Sequence, residues 1–214
     1  MNKILVISPH FDDAVLSAGQ FMSERSDAEV VTVFGGFPKK PEDVHTPYDK
    51  KCGFDNAEDA VTIRRLENDE ATALLGATAI NLEFPDEQYG VKVELNKIID
   101  SLQELVDNND YEFIMGPLGL GHPDHILVTD AILRLNTELP IYLWEDLPLR
   151  VVEPELVWPR LQSFGFVLDN LINQTITNNI SHKIRSLTCY KSQIGTGILD
   201  PYLMYVPERF WVYQ

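Results

Sequence analysis

The feature that most constrains this chain is an unbroken apolar run near its start, from Lys3 to Ser8, which stops at Pro9. A strand with one solvated face alternates apolar and polar residues, whereas an unbroken run is typical of a strand buried on both faces of a parallel sheet. Parallel neighbours need crossover connections, and these connections are usually helices that cover the two faces. The run therefore predicts the first strand of an α/β fold.

The rest of the chain alternates apolar runs with helical periodicities, and no linker or internal repeat divides it. We therefore expect one domain spanning residues 1–214, built as a three-layer sandwich around a mainly parallel central sheet. The further predicted strands are Val30–Phe34, Ala77–Leu82, Glu112–Met115, Ile141–Trp144 and Phe210–Tyr213. The predicted helices begin after Asp13, cover Ala57–Leu75 and Val91–Asp107, follow His125, and lie near Ile180–Tyr190.

Two segments show no clear helical or strand periodicity in their apolar residues. Phe37–Asn56 holds prolines, lysines and aspartates without periodicity, which predicts a long loop. Long loops in compact domains are usually functional lids or mobile segments. Val151–Trp158 is predicted to be extended because it is rich in valine and contains a proline.

The net charge of the chain disfavours some classes of binding partner. Seventeen Lys and Arg against thirty-three Asp and Glu give a formal charge of −16, which disfavours nucleic acid and anionic lipid as partners. Two distant cysteines and the absence of a long apolar segment lead us to expect a cytoplasmic protein with no membrane insertion. The sequence leaves open whether copies of the chain form a homo-oligomer.

Two short clusters of histidine and aspartate each follow a predicted strand, and they hold three of the five histidines. The first cluster is Pro9-His10-Phe11-Asp12-Asp13, and the second is Gly121-His122-Pro123-Asp124-His125. Open α/β sheets bind ligands beyond the carboxyl ends of their strands. We therefore expect the two clusters to meet at one edge of the sheet.

The spacing of these residues suits a catalytic metal site. His10, Asp13 and His125 can supply two imidazoles and one carboxylate, which leaves a coordination position for water, as in catalytic zinc sites. Asp12 then remains as a general base. His122 is expected to stabilise the developing oxyanion, and Asp124 to orient its imidazole or raise its basicity.

Both clusters resemble the signatures of the PIG-L/LmbE-like family of zinc-dependent de-N-acetylases. Members of that family carry Pro/Ala-His-Pro-Asp-Asp after the first strand and a later His-Pro-Asp-His turn. Two residues depart from the family pattern: Phe11 stands in place of proline and Ala14 in place of glutamate. The likeness continues in segments elsewhere in the chain, namely Arg64–Glu67, Pro85–Tyr89, Glu145–Pro148, Lys183–Gln193 and Glu208–Trp211.

The resemblance implies a Rossmann-like fold with Zn²⁺ at the C-terminal ends of the strands. It implies hydrolysis of an N-acetylated sugar conjugate of the N-acetylglucosamine type by attack of zinc-bound water, releasing acetate and a free amine. The site residues that it implies agree with those from spacing: His10, Asp13 and His125 for the metal, Asp12 as base, and His122 with Asp124 for the oxyanion. Substrate contacts are expected from Arg64, Arg65, Asp86 and Tyr89.

Other readings of the same residues stay open. An aspartate such as Asp13 is a common helix cap, and Pro123 with Asp124 is an ordinary helix start. Two histidines and one carboxylate also form the ferrous site of oxygenases. A non-catalytic sugar-binding protein on the same scaffold is the third alternative.

Overall fold

The computed structural model describes residues 3–25, 27–167, 171–173, 180–196 and 199–213. Its strands form one sheet in the order β3-β2-β1-β4-β5-β7-β6. Neighbours from β3 to β5 are parallel, whereas β7 is antiparallel to both β5 and β6. The strands are β1 (Lys3–Ser8), β2 (Ala28–Thr32), β3 (Thr78–Asn81), β4 (Tyr111–Pro117), β5 (Ile141–Trp144), β6 (Leu171–Asn173) and β7 (Arg209–Tyr213).

Helices connect the parallel strands and cover the sheet. Within the described residues they are α1 (Asp13–Ser23), α2 (Pro47–Lys51), α3 (Ala57–Leu74), α4 (Leu95–Asn108), α5 (Pro123–Ile132), α6 (Leu149–Val152), α7 (Val157–Ser163) and α8 (Ile180–Leu187). The predicted α/β fold with a mainly parallel central sheet is confirmed.

The first strand shows why an unbroken apolar run was needed. Ile4 and Val6 are fully buried in a core shared with α1, and Leu5 and Ile7 are fully buried in a second core shared with α4. Burial of each such side chain contributes about 1.5–3 kcal/mol relative to exposure. Because β1 is central and covered on both faces, neither set of alternate residues can be polar.

The order in which strands are added to the sheet reverses beside β1. The chain adds β2 and β3 on one side of β1, then returns to add β4 and β5 on the other side. The carboxyl ends of β1 and β4 therefore flank the topological switch point, where sheets of this kind form a crevice for ligands. Both histidine and aspartate clusters begin just beyond these two strands.

Two expectations about local structure are wrong. Val151–Trp158 is not extended, because it is covered by α6, a single turn of 3₁₀ helix and the start of α7. The amide of Val151 donates to Pro148 O at 2.8 Å, so local backbone bonding overrides the extended preference of valine. The segment from Phe37 to Asn56 also contains α2, whose start is capped by Thr46.

Candidate active site

The turn after β1 is held rigidly by side-chain contacts to its own backbone. Ser8 Oγ donates to His10 O at 2.6 Å and accepts from Ala14 N at 3.0 Å. Asp12 occupies the cap position of α1 without a capping hydrogen bond from its side chain. Asp13 is instead the first residue of the helix, so the expectation that it caps this helix is wrong. The carboxylates of Asp12 and Asp13 are therefore available to the site.

Donor atoms from both turns converge on Asp13. Its Oδ2 lies 3.2 Å from His10 Nδ1 and 3.2 Å from His125 Nε2, and it accepts from His10 N at 2.8 Å. One ligand atom from each of His10, Asp13 and His125 falls within 4.8 Å of the others. Three residues from two turns far apart in the chain thus form one cluster at the switch point.

The charges of this cluster compensate one another. Burial lowers the pKa of His125, but Asp13 and Asp146 outweigh burial and raise it to about 9. Burial would likewise lower the pKa of His10, yet Asp86, Asp124 and Asp13 hold it well above its usual value. Burial would raise the pKa of Asp13, but the two histidines lower it well below its usual range. The carboxylates thus favour positive charge at this point.

Two imidazoles and a carboxylate are one of the ligand sets that hold zinc at catalytic sites. A further observation is compatible with a divalent cation bound at this cluster. The side chain of Asp12 is nearly buried, and its Oδ2 has no hydrogen-bond partner within the described part of the chain. Burial raises the pKa of Asp12 to about 6, with a further contribution from Asp13. The residues present therefore fit a metal-dependent site with an adjacent base.

His122 is the cap residue of α5. Its Nδ1 accepts from Asp124 N at 3.2 Å, so this nitrogen is unprotonated and the proton of the neutral ring lies on Nε2. Burial lowers the pKa of His122, and the neighbouring His10 and His125 lower it further. His122 is therefore a neutral N–H donor in the site.

The sequence suggests that the side chain of Asp124 orients His122, but the structure gives this carboxylate other partners. Asp124 Oδ2 lies 3.0 Å from His10 Nε2 and accepts from Glu87 N at 3.1 Å. It is the backbone N–H of Asp124 that contacts the ring of His122. The reason is local: a histidine at the cap position turns its ring onto the first amides of its own helix, which leaves the Asp124 carboxylate for the turn after β1.

Asp146 is a site residue to which sequence reasoning assigned no role. Its Oδ1 lies 2.6 Å from His125 Nδ1, and its side chain is fully buried. Burial raises the pKa of Asp146, and the hydrogen bond to His125 opposes that effect. Its position just after β5 was the available signal, because β5 is the parallel neighbour of β4 and ends at the same edge of the sheet.

A cavity of about 310 Å³ opens onto the donor cluster. We call the part of the lining that follows β1 and β4 the inner wall, and the remaining polar part of the lining the outer wall. The inner wall consists of His10, Phe11, Asp12, Asp13, His122 and His125. The outer wall consists of Tyr48, Arg64, Asp86, Gln88, Tyr89, Tyr190 and Gln193. Apolar side chains complete the lining: Phe34, Val61, Leu147, Pro148 and Leu149.

Three of the four residues that we expect to contact the substrate line the cavity, and one does not. Arg64, Asp86 and Tyr89 line the cavity. Arg65 is absent from its lining, because its guanidinium donates to Gly35 O at 2.7 Å and to both oxygens of Glu83 at 2.8 Å. Arg64 Nη1 pairs with buried Asp49 at 2.9 Å, while neither Nε nor Nη2 makes a hydrogen bond among the described residues.

Comparison with known proteins gives a family and a set of relatives. A model of the GlcNAc-PI de-N-acetylase family, PIG-L, matches residues 5–136. A 2'-N-acetylparomamine deacetylase of Niallia circulans is 26% identical over 252 aligned residues, covering 98% of this chain and 90% of that protein.

Two solved structures superpose on this chain over nearly its whole length. The A40926 pseudoaglycone deacetylase superposes with a TM-score of 0.78 at 25% identity, covering 99% of this chain and 97% of that one. A triple mutant of a deacetylase in teicoplanin biosynthesis gives a TM-score of 0.79 at 26% identity, with 99% and 98% covered. Among the described residues, no helix has the length and apolar character that a membrane crossing requires.

Proposed function

The chain belongs to the GlcNAc-PI de-N-acetylase family, and on that premise we propose that it removes an N-acetyl group from an amino-sugar conjugate by zinc-dependent hydrolysis. The observation that carries the proposal is the donor cluster of His10, Asp13 and His125 beside the partnerless carboxylate oxygen of Asp12, in one cavity of the described chain. The proposed metal ligands are the three cluster residues. The proposed base is Asp12.

Zinc bound to these three residues would polarise the amide carbonyl and make water a stronger nucleophile near neutral pH. Asp12 Oδ2 would accept a proton from the attacking water, since this oxygen is buried in the cavity wall and has no other partner among the described residues. When the C–N bond breaks, the same carboxyl group would return that proton to the leaving amine. Acetate and a free amino sugar are the products.

His122 would assist at the carbonyl oxygen. Its protonated Nε2 suits donation to an oxygen that gains negative charge during attack. His122 suits this role as a neutral imidazole, because burial and its histidine neighbours lower its pKa. The hydrogen bond from Asp124 N to His122 Nδ1 keeps the ring in the required tautomer.

The outer wall supports a sugar conjugate as the substrate class. Arg64, Asp86 and Gln88 present charged and amide groups to the cavity, and such groups can hydrogen-bond the hydroxyls of a sugar ring. Two relatives are named as deacetylases, one of 2'-N-acetylparomamine and one of the A40926 pseudoaglycone, and these names support an N-acetylated sugar conjugate as the substrate class.

The decisive experiment joins an activity screen to metal analysis. Protein purified without chelators is incubated with N-acetylated sugar conjugates, amine release is followed, and the metal content of the same sample is measured. We expect stoichiometric zinc and amine release. Stoichiometric iron with oxygen-dependent turnover would favour an oxygenase, and binding of sugar without turnover would favour a binding protein.

A substitution of the base completes this test. Asp12→Asn should retain zinc and lower kcat by about 10²- to 10⁴-fold, because it removes the proton acceptor and no ligand. Asp100→Asn on the exposed face of α4 loses the same charge away from the cavity and is the matched control. A kcat for Asp12→Asn close to that of the control would contradict the role of Asp12.

A further inference from the structure

The environment of His125 contains a carboxylate that the proposed reaction does not use. His125 Nε2 faces Asp13 Oδ2 at 3.2 Å, on the side of the donor cluster. His125 Nδ1 faces the opposite way, toward Asp146 Oδ1 at 2.6 Å. Only one nitrogen of this ring can therefore act as a ligand, and the other is engaged by Asp146.

The second oxygen of Asp146 is held by the backbone. Asp146 Oδ2 accepts from Gly119 N at 3.0 Å and from Leu120 N at 3.4 Å. Together with the contact to His125, the carboxylate has three N–H neighbours, so it acts as an acceptor at both oxygens. Its side chain is fully buried, which prevents water from competing for these contacts.

Local structure explains why the backbone can turn its amides toward Asp146. Gly119 has φ of +81°, which favours glycine, and a Cβ there would lie 2.6 Å from Thr129 Oγ1. Thr129 Oγ1 is itself fixed, since it lies 2.9 Å from both Pro117 O and His125 O. The strand β4, the glycine turn and the helix α5 thus form one rigid frame around the ring of His125.

We propose that Asp146 is a positioning residue for metal binding, which fixes His125 with its proton on Nδ1 and its Nε2 lone pair directed at the cation. This inference rests on the metal site of the proposed function. Outer carboxylates of this kind orient a ligand ring and set its tautomer, and their loss typically costs about 10- to 100-fold in metal affinity or activity. Asp146 acts through His125 and contacts no substrate.

Asp146→Asn is the informative substitution because it keeps the shape of the side chain and fails in either orientation. If its amide oxygen faces Gly119 N and Leu120 N, its NH₂ group faces His125 Nδ1 and forces the ring proton onto Nε2, which blocks ligation. If the amide is reversed, the NH₂ group meets two N–H donors. Both outcomes weaken zinc binding.

The measurement is zinc affinity by competition with a chromophoric chelator, with the melting temperature of the metal-free protein measured in parallel. We expect Asp146→Asn to bind zinc about 10- to 100-fold more weakly than the unmodified protein. The matched control is Asp130→Asn, a half-buried aspartate on the same helix as His125 that pairs with Arg160. Affinity of Asp146→Asn equal to that of the control overturns the inference.

A second measurement needs no variant and decides the matter if Asp146→Asn does not fold. Nitrogen-15 NMR of the zinc-loaded, unmodified protein should find the His125 proton on Nδ1, and a proton on Nε2 overturns the inference. Zinc binding without deacetylation would overturn the proposed function alone. Failure of the unmodified protein to bind zinc would overturn both.

Discussion

The inner and outer walls of the cavity are built in different ways. The inner wall lies on two turns that directly follow central strands, and its side chains are joined by contacts between imidazoles and carboxylates, such as His10 with Asp13. The outer wall comes from segments far apart in the chain. Its residues are held by a mixture of contacts: Tyr48 Oη donates to Gln193 Oε1 at 2.6 Å, and Arg64 Nη1 pairs with Asp49 at 2.9 Å.

This difference separates reactivity from selectivity. The inner wall cannot change without disturbing the carboxyl ends of β1 and β4, both of which are buried in the core. The outer wall contains none of the three residues of the donor cluster, although some of its side chains, such as Arg64 and Tyr190, are also buried. We therefore expect substitutions in the inner wall to affect metal binding and kcat, and those in the outer wall to affect KM.

The largest effect is expected from the shared carboxylate of the inner wall. Asp13→Asn keeps the size of the side chain but removes the anion that lies 3.2 Å from two imidazole nitrogens. Zinc binding and deacetylation should both fall to background, because one of three ligands is lost. Metal analysis of the purified variant checks this result. Full zinc occupancy in Asp13→Asn would remove this residue from the ligand set.

His122 allows catalysis and helix capping to be separated. His122→Ala and His122→Asn should both lower kcat by about 10²- to 10³-fold, because each removes the Nε2 donor. Asparagine is a good cap residue and alanine is a poor one, so only His122→Ala should lose about 1 kcal/mol in the free energy of unfolding. Kinetics and denaturant unfolding of the two variants provide the comparison. Normal kcat in His122→Asn would exclude a direct role at the carbonyl.

A pair of adjacent arginines tests the outer wall. Arg64→Lys keeps a positive charge near Asp49 but removes the Nε and Nη2 donors, so KM should rise about tenfold with little change in kcat. Arg65→Lys is the control, since Arg65 binds Gly35 and Glu83 and lies outside the lining of the cavity. Equal KM values for the two variants would mean that Arg64 contacts no substrate.

The smallest effect is the release of protons from the inner wall when zinc binds. The pKa of His125 is raised to about 9, so this ring carries a proton at pH 7, and the pKa of His10 is raised in the same direction. Zinc requires neutral imidazole, so binding at pH 7 should release the proton of His125, and affinity should weaken as pH falls. Calorimetry in buffers of different ionisation enthalpy measures this release. Release of no protons would contradict the charge state inferred for the cluster.

The two adjacent arginines of α3 lie on different sides of the helix. The buried positions of α3 include Ala60, Val61, Arg64 and Ala71, which recur at helical spacing. Arg64 therefore lies on the stripe of α3 that faces the protein, and Arg65, one residue further, is rotated by about 100° away from it. The structure thus distinguishes the two arginines, which the sequence motif treats as a pair, and the exposed Ile63 and Leu66 show that apolar residues alone do not mark the buried stripe of α3.

The parallel α/β sheet and the three residues of the donor cluster follow from the amino-acid sequence alone. They do so because burial on both faces imposes an unbroken apolar run on β1, and because each cluster lies within five consecutive residues at a strand end. The support of His10 by Asp124 and of His125 by Asp146 emerges only in the folded molecule. Those contacts join residues 114 and 21 positions apart, and such partners are set by how strands and turns pack, which no local pattern encodes.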